Sequence, residues 1–312
     1  MSTRQRAAGA FLRLPPSTRR AVLHRLGRYA PWEPEFDFTP PRPAPGYVPG
    51  PPDFVGIGAQ KAGTTWWFDL IATHPGVTTP VGLHKERHLL DRYASRSFDR
   101  RAIEGIHAWF PRRPGTITGE WPPDYCTFAW APELLRRAAP DARVLMLVRD
   151  PVDRFLSGVA HYATRGTPVD GLVLADAFRR GCYASLLEPW LHAYGRDRVL
   201  VLQYEQCTDD ADRWLAETFA FLGLSEYHPS EAEQPRRPAP TPRDVLEDDA
   251  RERLVALYEP DVAELAALVP TLDLKRWPGF GHLARPSSQL PGSADRVVPV
   301  PSGVVSSPTE RP

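Results

Sequence analysis

Residues 54–65 read Phe54-Val-Gly-Ile-Gly-Ala-Gln-Lys61-Ala-Gly63-Thr64-Thr65, an apolar run that breaks into a glycine-bracketed turn and reopens as a helical pattern. Phe54–Ile57 predicts a strand. Thr65–Thr73 predicts a helix with Trp66, Trp67, Leu70 and Ile71 on one side, and His74-Pro75-Gly76 stops it. Glycines in such a turn let the backbone approach a phosphate, and the helix N-terminus offers unpaired N–H groups. A Walker loop places its lysine directly after the second glycine. Here Thr64 holds that position, and Lys61 lies two residues before Gly63. The loop therefore cradles a phosphate without the lysine that reaches a β/γ pair, which argues against an ATPase or kinase. Taken alone, it also reads as a Gly/Thr turn beside a solvated lysine.

A second motif lies downstream. Val144–Val148 is a continuous apolar run, the pattern of a strand buried on both faces, and it ends in Arg149-Asp150-Pro151. That end of a parallel strand is where open α/β sheets bind ligands. An arginine there can fork onto a phosphate, and Ser157 on the next helix adds a hydroxyl donor. By itself Arg149 fits a structural ion pair with Asp150 or Asp153. Together the two motifs imply two phosphate sites on one nucleotide. Further helices are expected at Glu133–Ala139, after Pro151, at Tyr183–Tyr194 and at Asp212–Leu222, with a third buried strand at Val199–Leu202. Strands alternating with helices predict an α/β fold, a central parallel sheet flanked by helices.

Composition narrows the class. Across 312 residues, 42% hydrophobic and 24% charged is ordinary for a globular enzyme. A formal net charge of zero removes the electrostatic case for nucleic acid. The three cysteines, Cys126, Cys182 and Cys207, are too scattered for a disulfide framework or a metal cluster. No apolar run approaches a membrane span and no signal-peptide pattern opens the chain, so a cytoplasmic enzyme is expected. Prolines crowd the two ends and divide the chain into a basic N-terminal segment (1–30), a Pro-rich linker (31–52), one domain (53–284) and a disordered tail (285–312). Within Ser17–Tyr29, Val22, Leu26 and Tyr29 recur at helical spacing. Such a basic amphipathic helix makes weak contact with a membrane surface or docks on its own domain.

With both motifs in place a resemblance emerges. FVGIGAQKAGTTWWFDLIATHPGV (54–77) resembles the 5′-phosphosulfate loop of the sulfotransferases that use 3′-phosphoadenosine-5′-phosphosulfate (PAPS), and RVLMLVRDPVDRFLSG (143–158) resembles their 3′-phosphate motif. GCYASLLEPWLHAYGRDRVLVLQYE and TFAFLGL look like downstream blocks of the same family, nearest its carbohydrate branch. The resemblance implies a P-loop-like nucleotide-binding architecture, a PAPS donor, a hydroxylated acceptor (glycan, lipid or small metabolite) and no metal. It implies that Lys61, Ala62, Gly63, Thr64 and Thr65 hold the 5′-phosphate, with Lys61 stabilising the leaving group. Arg149 and Ser157 take the 3′-phosphate. In His84-Lys85-Glu86-Arg87-His88 it makes Glu86 the base and His88 its neighbour; a histidine base, His84 or His88, is the other assignment. Trp121 stands where the family often has a lysine, which favours a less charged acceptor facing Trp109, Trp121, Tyr125 and Trp130, unless those rings are core. Arg236 and Arg237 fall near a basic loop that covers the nucleotide, and neither is assigned. Two other functions fit in part, a P-loop nucleotide kinase and a non-catalytic PAPS-binding protein.

Overall fold

The computed structural model describes residues 16–26, 40, 42–79, 85–235 and 247–284. His84, Arg236, Arg237, the expected tail, most of segment 1–30 and part of segment 31–52 lie outside the described residues. In chain order the regular elements are α1 (Pro16–Arg25), β1 (Phe54–Gly58), α2 (Thr64–Ala72), α3 (Arg100–His107), β2 (Gly119–Glu120), α4 (Ala131–Ala138) and β3 (Arg143–Val148). After β3 come α5 (Pro151–Thr164), α6 (Gly171–Arg179), α7 (Tyr183–Tyr194), β4 (Val199–Gln203), α8 (Tyr204–Asp209), α9 (Ala211–Leu222) and α10 (Asp248–Leu268). No described helix is long and apolar enough to cross a membrane.

The four strands form one parallel sheet in the order β2-β1-β3-β4. Helices flank it, as the alternation predicts. β1 is buried throughout and β3 everywhere except Arg143, which is why both read as unbroken apolar runs. β4 departs from expectation. It is an edge strand bonded to β3 alone, and Val199, Leu200 and Val201 are only half-buried. At the opposite edge β2 has just two residues, too few for any period to show.

Two local devices fix where the loops open. The β1–β3 register shifts between Gly56 and Gly58, and the Ala59 N–H donates to the Leu147 carbonyl at 2.8 Å. The ladder thus extends one residue past β1 before the chain turns. At β3, the Asp150 carboxylate caps α5 by accepting from the N–H groups of Val152 and Asp153, and Pro151 opens the helix.

The core corrects one reading of the aromatics. Trp121 and Tyr125 are fully buried, so neither offers a surface to an acceptor. The Trp121 ring fills the space above Gly56, where a Cβ would come within 1.9 Å of it, and its N–H donates to the Gly58 carbonyl at 3.1 Å. Trp109 and Trp130 are half-buried, the latter donating to Leu90 O at 3.1 Å. At the N-terminal side, Val48 already bridges Arg112 within the expected linker. Val22 on α1 and Leu26 just past its end are exposed, which does not fit a helix docked on its domain through those side chains.

Candidate functional site

Because β1 and β3 are direct, parallel neighbours, the loops that follow them open side by side at one end of the sheet. A cleft of about 620 Å³ lies there, and its walls include Lys61, Gly63, Thr64, Thr65, Glu86, His88, Arg149 and Ser157. Sequence reasoning nominated every one of these. Ala62 is the exception among the nominated residues, since its side chain is fully buried and does not line the cleft.

The loop between β1 and α2 is constrained. Lys61 has φ 70, a left-handed conformation unusual for a residue with a Cβ, and such strain concentrates at functional sites. Gly63, at φ 92, caps α2; a Cβ there would press within 2.7 Å of the Tyr204 ring. Only glycine fits both constraints. Beyond it, the first N–H groups of α2 lack intrahelical acceptors. The Lys61 ammonium is held below the usual lysine range, first by burial and then by Arg149 and Arg165.

Arg149 makes an ion pair that the sequence allowed for and also lines the cleft. Its Nη1 reaches the Lys61 carbonyl at 3.5 Å, its Nη2 lies 3.9 Å from Asp153, and its guanidinium sits 5.1 Å over the Tyr204 ring. The ion pair orients the fork, and the fork still lines the cleft. Arg149→Ala is expected to weaken adenosine 3′,5′-bisphosphate binding by about 1.5–3 kcal/mol, the range for a hydrogen bond to a charged group. Adenosine 5′-phosphate should weaken far less; calorimetric titration of both ligands checks the difference.

The segment 85–91 reaches the cleft because it is tied to β2. The Trp121 N–H donates to Lys85 O at 2.7 Å, and the Arg87 N–H donates to the Glu120 carboxylate at 3.1 Å. Arg87 anchors further through Trp109 O at 2.7 Å and packs 4.3 Å over Phe110. Burial pushes the Glu120 carboxyl up to about 7, and Tyr125 OH donates to it at 3.0 Å. Held this way, Glu86 lies 3.6 Å from His88 Nε2 and 2.5 Å from Lys85 Nζ. His88, then Lys85, hold the Glu86 carboxyl down at about 2 against its partial burial. His88 itself has φ 53, and its Nδ1 lies 3.0 Å from Asp91. Asp91, then Glu86, raise its imidazole to about 10. A ring charged through neutrality cannot act as a base, which weighs against the His88 assignment. Asp91→Asn should bring the His88 pKa from about 10 back toward the ordinary histidine value, followed by NMR titration of the ring.

Sequence reasoning missed Asp91, Asp124, His161, Arg165 and Tyr204. The last four line the cleft. Ser157, His161 and Arg165 are four apart on or just past α5, a spacing that puts them on one face and that was visible in the sequence. Burial, then Lys61 and Arg165, hold the His161 ring below the usual histidine value, so it stays neutral at pH 7. Asp124 is paired with Arg180, which also bonds Asp176 at 2.7 Å.

Known proteins bear on this geometry. A family model described as "Sulfotransferase family" matches residues 125–229. The heparan sulfate glucosamine 3-O-sulfotransferase 3B1 of Mus musculus is 29% identical over 192 residues, 55% of this chain and 46% of that protein. The human heparan sulfate glucosamine 3-O-sulfotransferase 6 is 29% identical over 191 residues, 55% of this chain and 52% of that one. The chain thus spans about half the length of the curated relatives it matches. Among solved structures, a sulfotransferase from Alicyclobacillus acidocaldarius superposes with a TM-score of 0.54 at 24% identity, covering 70% of this chain and 96% of that one. That likeness is one of fold.

Proposed function

We propose that the chain is a sulfotransferase whose cleft binds PAPS and passes the sulfuryl group to a hydroxyl acceptor. Its match to the sulfotransferase family model and its heparan sulfate sulfotransferase relatives support this reading. The observation that carries this is the crowding of cations. Lys61, Arg149 and Arg165 all line one cleft. The Lys61 ammonium is held down first by burial and then by the two guanidinium groups, a repulsion that a doubly phosphorylated nucleotide relieves.

In this reading Arg149 and Ser157 hold the 3′-phosphate. Gly63, Thr64, Thr65 and the start of α2 hold the 5′-phosphate. As the acceptor oxygen bonds to sulfur and the sulfur–oxygen bond to the 5′-phosphate breaks, Lys61 takes the charge that develops on the leaving oxygen. Glu86 receives the acceptor proton, and adenosine 3′,5′-bisphosphate leaves. The needs match those of phosphoryl transfer: alignment and charge stabilisation. A second reading moves the base to His161, favoured by its neutral ring on the cleft wall while two cations neutralise Glu86. We place the enzyme in the cytoplasm, where three unpaired cysteines are at home.

Ligand-dependent melting tests the donor assignment against a kinase. Adenosine 3′,5′-bisphosphate, without metal, should raise the melting temperature, because binding to the native state stabilises it by mass action. ATP with Mg²⁺ should raise it much less. A larger shift with ATP–Mg²⁺ would overturn the assignment.

A further inference from the structure

We infer that Asp124 selects the acceptor, favouring an amino alcohol, one that carries an ammonium group beside its hydroxyl; this rests on the sulfotransferase reading above and names the acceptor's chemistry. Asp124 follows Pro122-Pro123 and precedes a short 3₁₀ turn, Tyr125–Thr127. The Thr127 N–H and hydroxyl both donate to the Asp124 carbonyl, at 2.9 and 2.7 Å. That turn fixes the backbone where the side chain joins Glu86, His88 and His161 on the cleft wall. The carboxylate is held from behind. Arg180, just past α6, donates through Nη1 to Asp124 Oδ1 and through Nε to Asp176 Oδ2 at 2.7 Å. Tyr162 OH on α5 donates to the same Asp176 oxygen at 2.7 Å, so the brace is tied to the helix that also carries His161.

Charge decides what such a wall accepts. One guanidinium serves two carboxylates, Asp124 and Asp176, while Lys85 and the charged His88 answer Glu86 and Asp91. Arg179 also acts on Asp176, from an exposed position. The Arg180 brace is therefore left negative, and Asp124 Oδ2 has no hydrogen-bond partner among the described residues. The cations that line the cleft, Lys61, Arg149 and Arg165, are answered by the donor's phosphates in the reading above. With the Asp124 side chain only 24% exposed, a charge beside it is screened less than on an open surface. An ammonium there gains a charge-assisted hydrogen bond, whereas a carboxylate or sulfate at the same place is repelled. The sequence favoured a less charged acceptor because Trp121 replaces a lysine. Trp121 is core, however, and carries no information about acceptor charge. Asp124, on the cleft wall, sets the sign instead.

The probes are 2-deoxystreptamine, a hydroxylated diamine, and its N,N′-diacetyl form, which keeps the hydroxyls and is neutral. Each is titrated calorimetrically into protein saturated with adenosine 3′,5′-bisphosphate, and each is offered with PAPS in a transfer assay. The amine should bind roughly tenfold tighter than the diamide, the scale of one hydrogen bond to a charged group, and lose that advantage as salt rises. Its kcat/KM should exceed that of the diamide in the same sense. Asp124→Asn keeps the shape and can still accept from Arg180 but drops the charge, so the two probes should then bind alike. Asp124→Glu keeps the charge and should keep the preference. Amine binding no tighter than that of the diamide in the unmodified protein overturns the inference, whatever the stability of the variants. So does a preference that persists in Asp124→Asn, or one that vanishes equally in both variants. A missing bisphosphate melting shift in the unmodified protein would sink the donor reading; a normal shift with no preference for the amine sinks this inference alone.

Discussion

Glu86→Gln is expected to lower kcat by roughly 10²–10⁴, the usual share of general-base catalysis, while bisphosphate affinity hardly changes. The amide keeps the side chain's size and can still bond to Lys85, but it cannot accept the acceptor's proton. The pH profile separates the two candidate bases. With a folded pKa of about 2, Glu86 stays ionised throughout the neutral and mildly acidic range. Its depressed pKa also means that its contribution to stability is present above the ordinary carboxylate value and fades as pH falls toward about 2. A Glu86 base therefore gives a kcat that is flat between about pH 5 and 7. A His161 base gives a kcat that falls on the acid side as the ring protonates, below the ordinary histidine value. Near-normal turnover in Glu86→Gln, with collapse in His161→Asn, would transfer the role to the imidazole.

Lys61→Met should cost roughly 10²–10³ in kcat, the effect of removing one donor to a developing oxyanion. Methionine keeps the length of the stem and removes the charge. Ground-state binding of PAPS should weaken by much less than kcat, because the charge on the bridging oxygen appears only as the bond breaks. Arginine should not substitute well: its planar fork is larger than the ammonium, and Arg149 and Arg165 already crowd the position. Comparable losses in binding and turnover would make Lys61 a binding residue alone.

What the sequence revealed follows from how local each feature is. The β1 loop and the Arg149 turn were legible because strand, turn and helix are consecutive, and burial on both faces writes an unbroken apolar run. Their meeting in one cleft needed only the assumption that the two strands share a sheet. The His88–Asp91 contact is also local, three residues apart, yet nothing in a charged loop marks which acid turns toward which ring. Four-residue spacing carries Ser157, His161 and Arg165 to the cleft, but a polar stripe of that period also describes any solvated helix face. Trp121 was misread for a different reason. Its environment is made by Gly56 and Gly58 on β1, more than sixty residues earlier, and local sequence cannot report a contact made at that range. β4 looked like an interior strand because an edge strand with one covered face can still be apolar throughout.

Incubation with PAPS and a panel of hydroxylated basic, acidic and neutral acceptors, read by mass spectrometry for both products, tests sulfuryl transfer most directly. The expected result is an acceptor heavier by one sulfuryl group, formed in step with adenosine 3′,5′-bisphosphate, without added metal, and sharply reduced in Lys61→Met. Contradiction would come from bisphosphate binding that is tight and Arg149-dependent while no acceptor of any class gains mass, the behaviour of a protein that holds the nucleotide without using it.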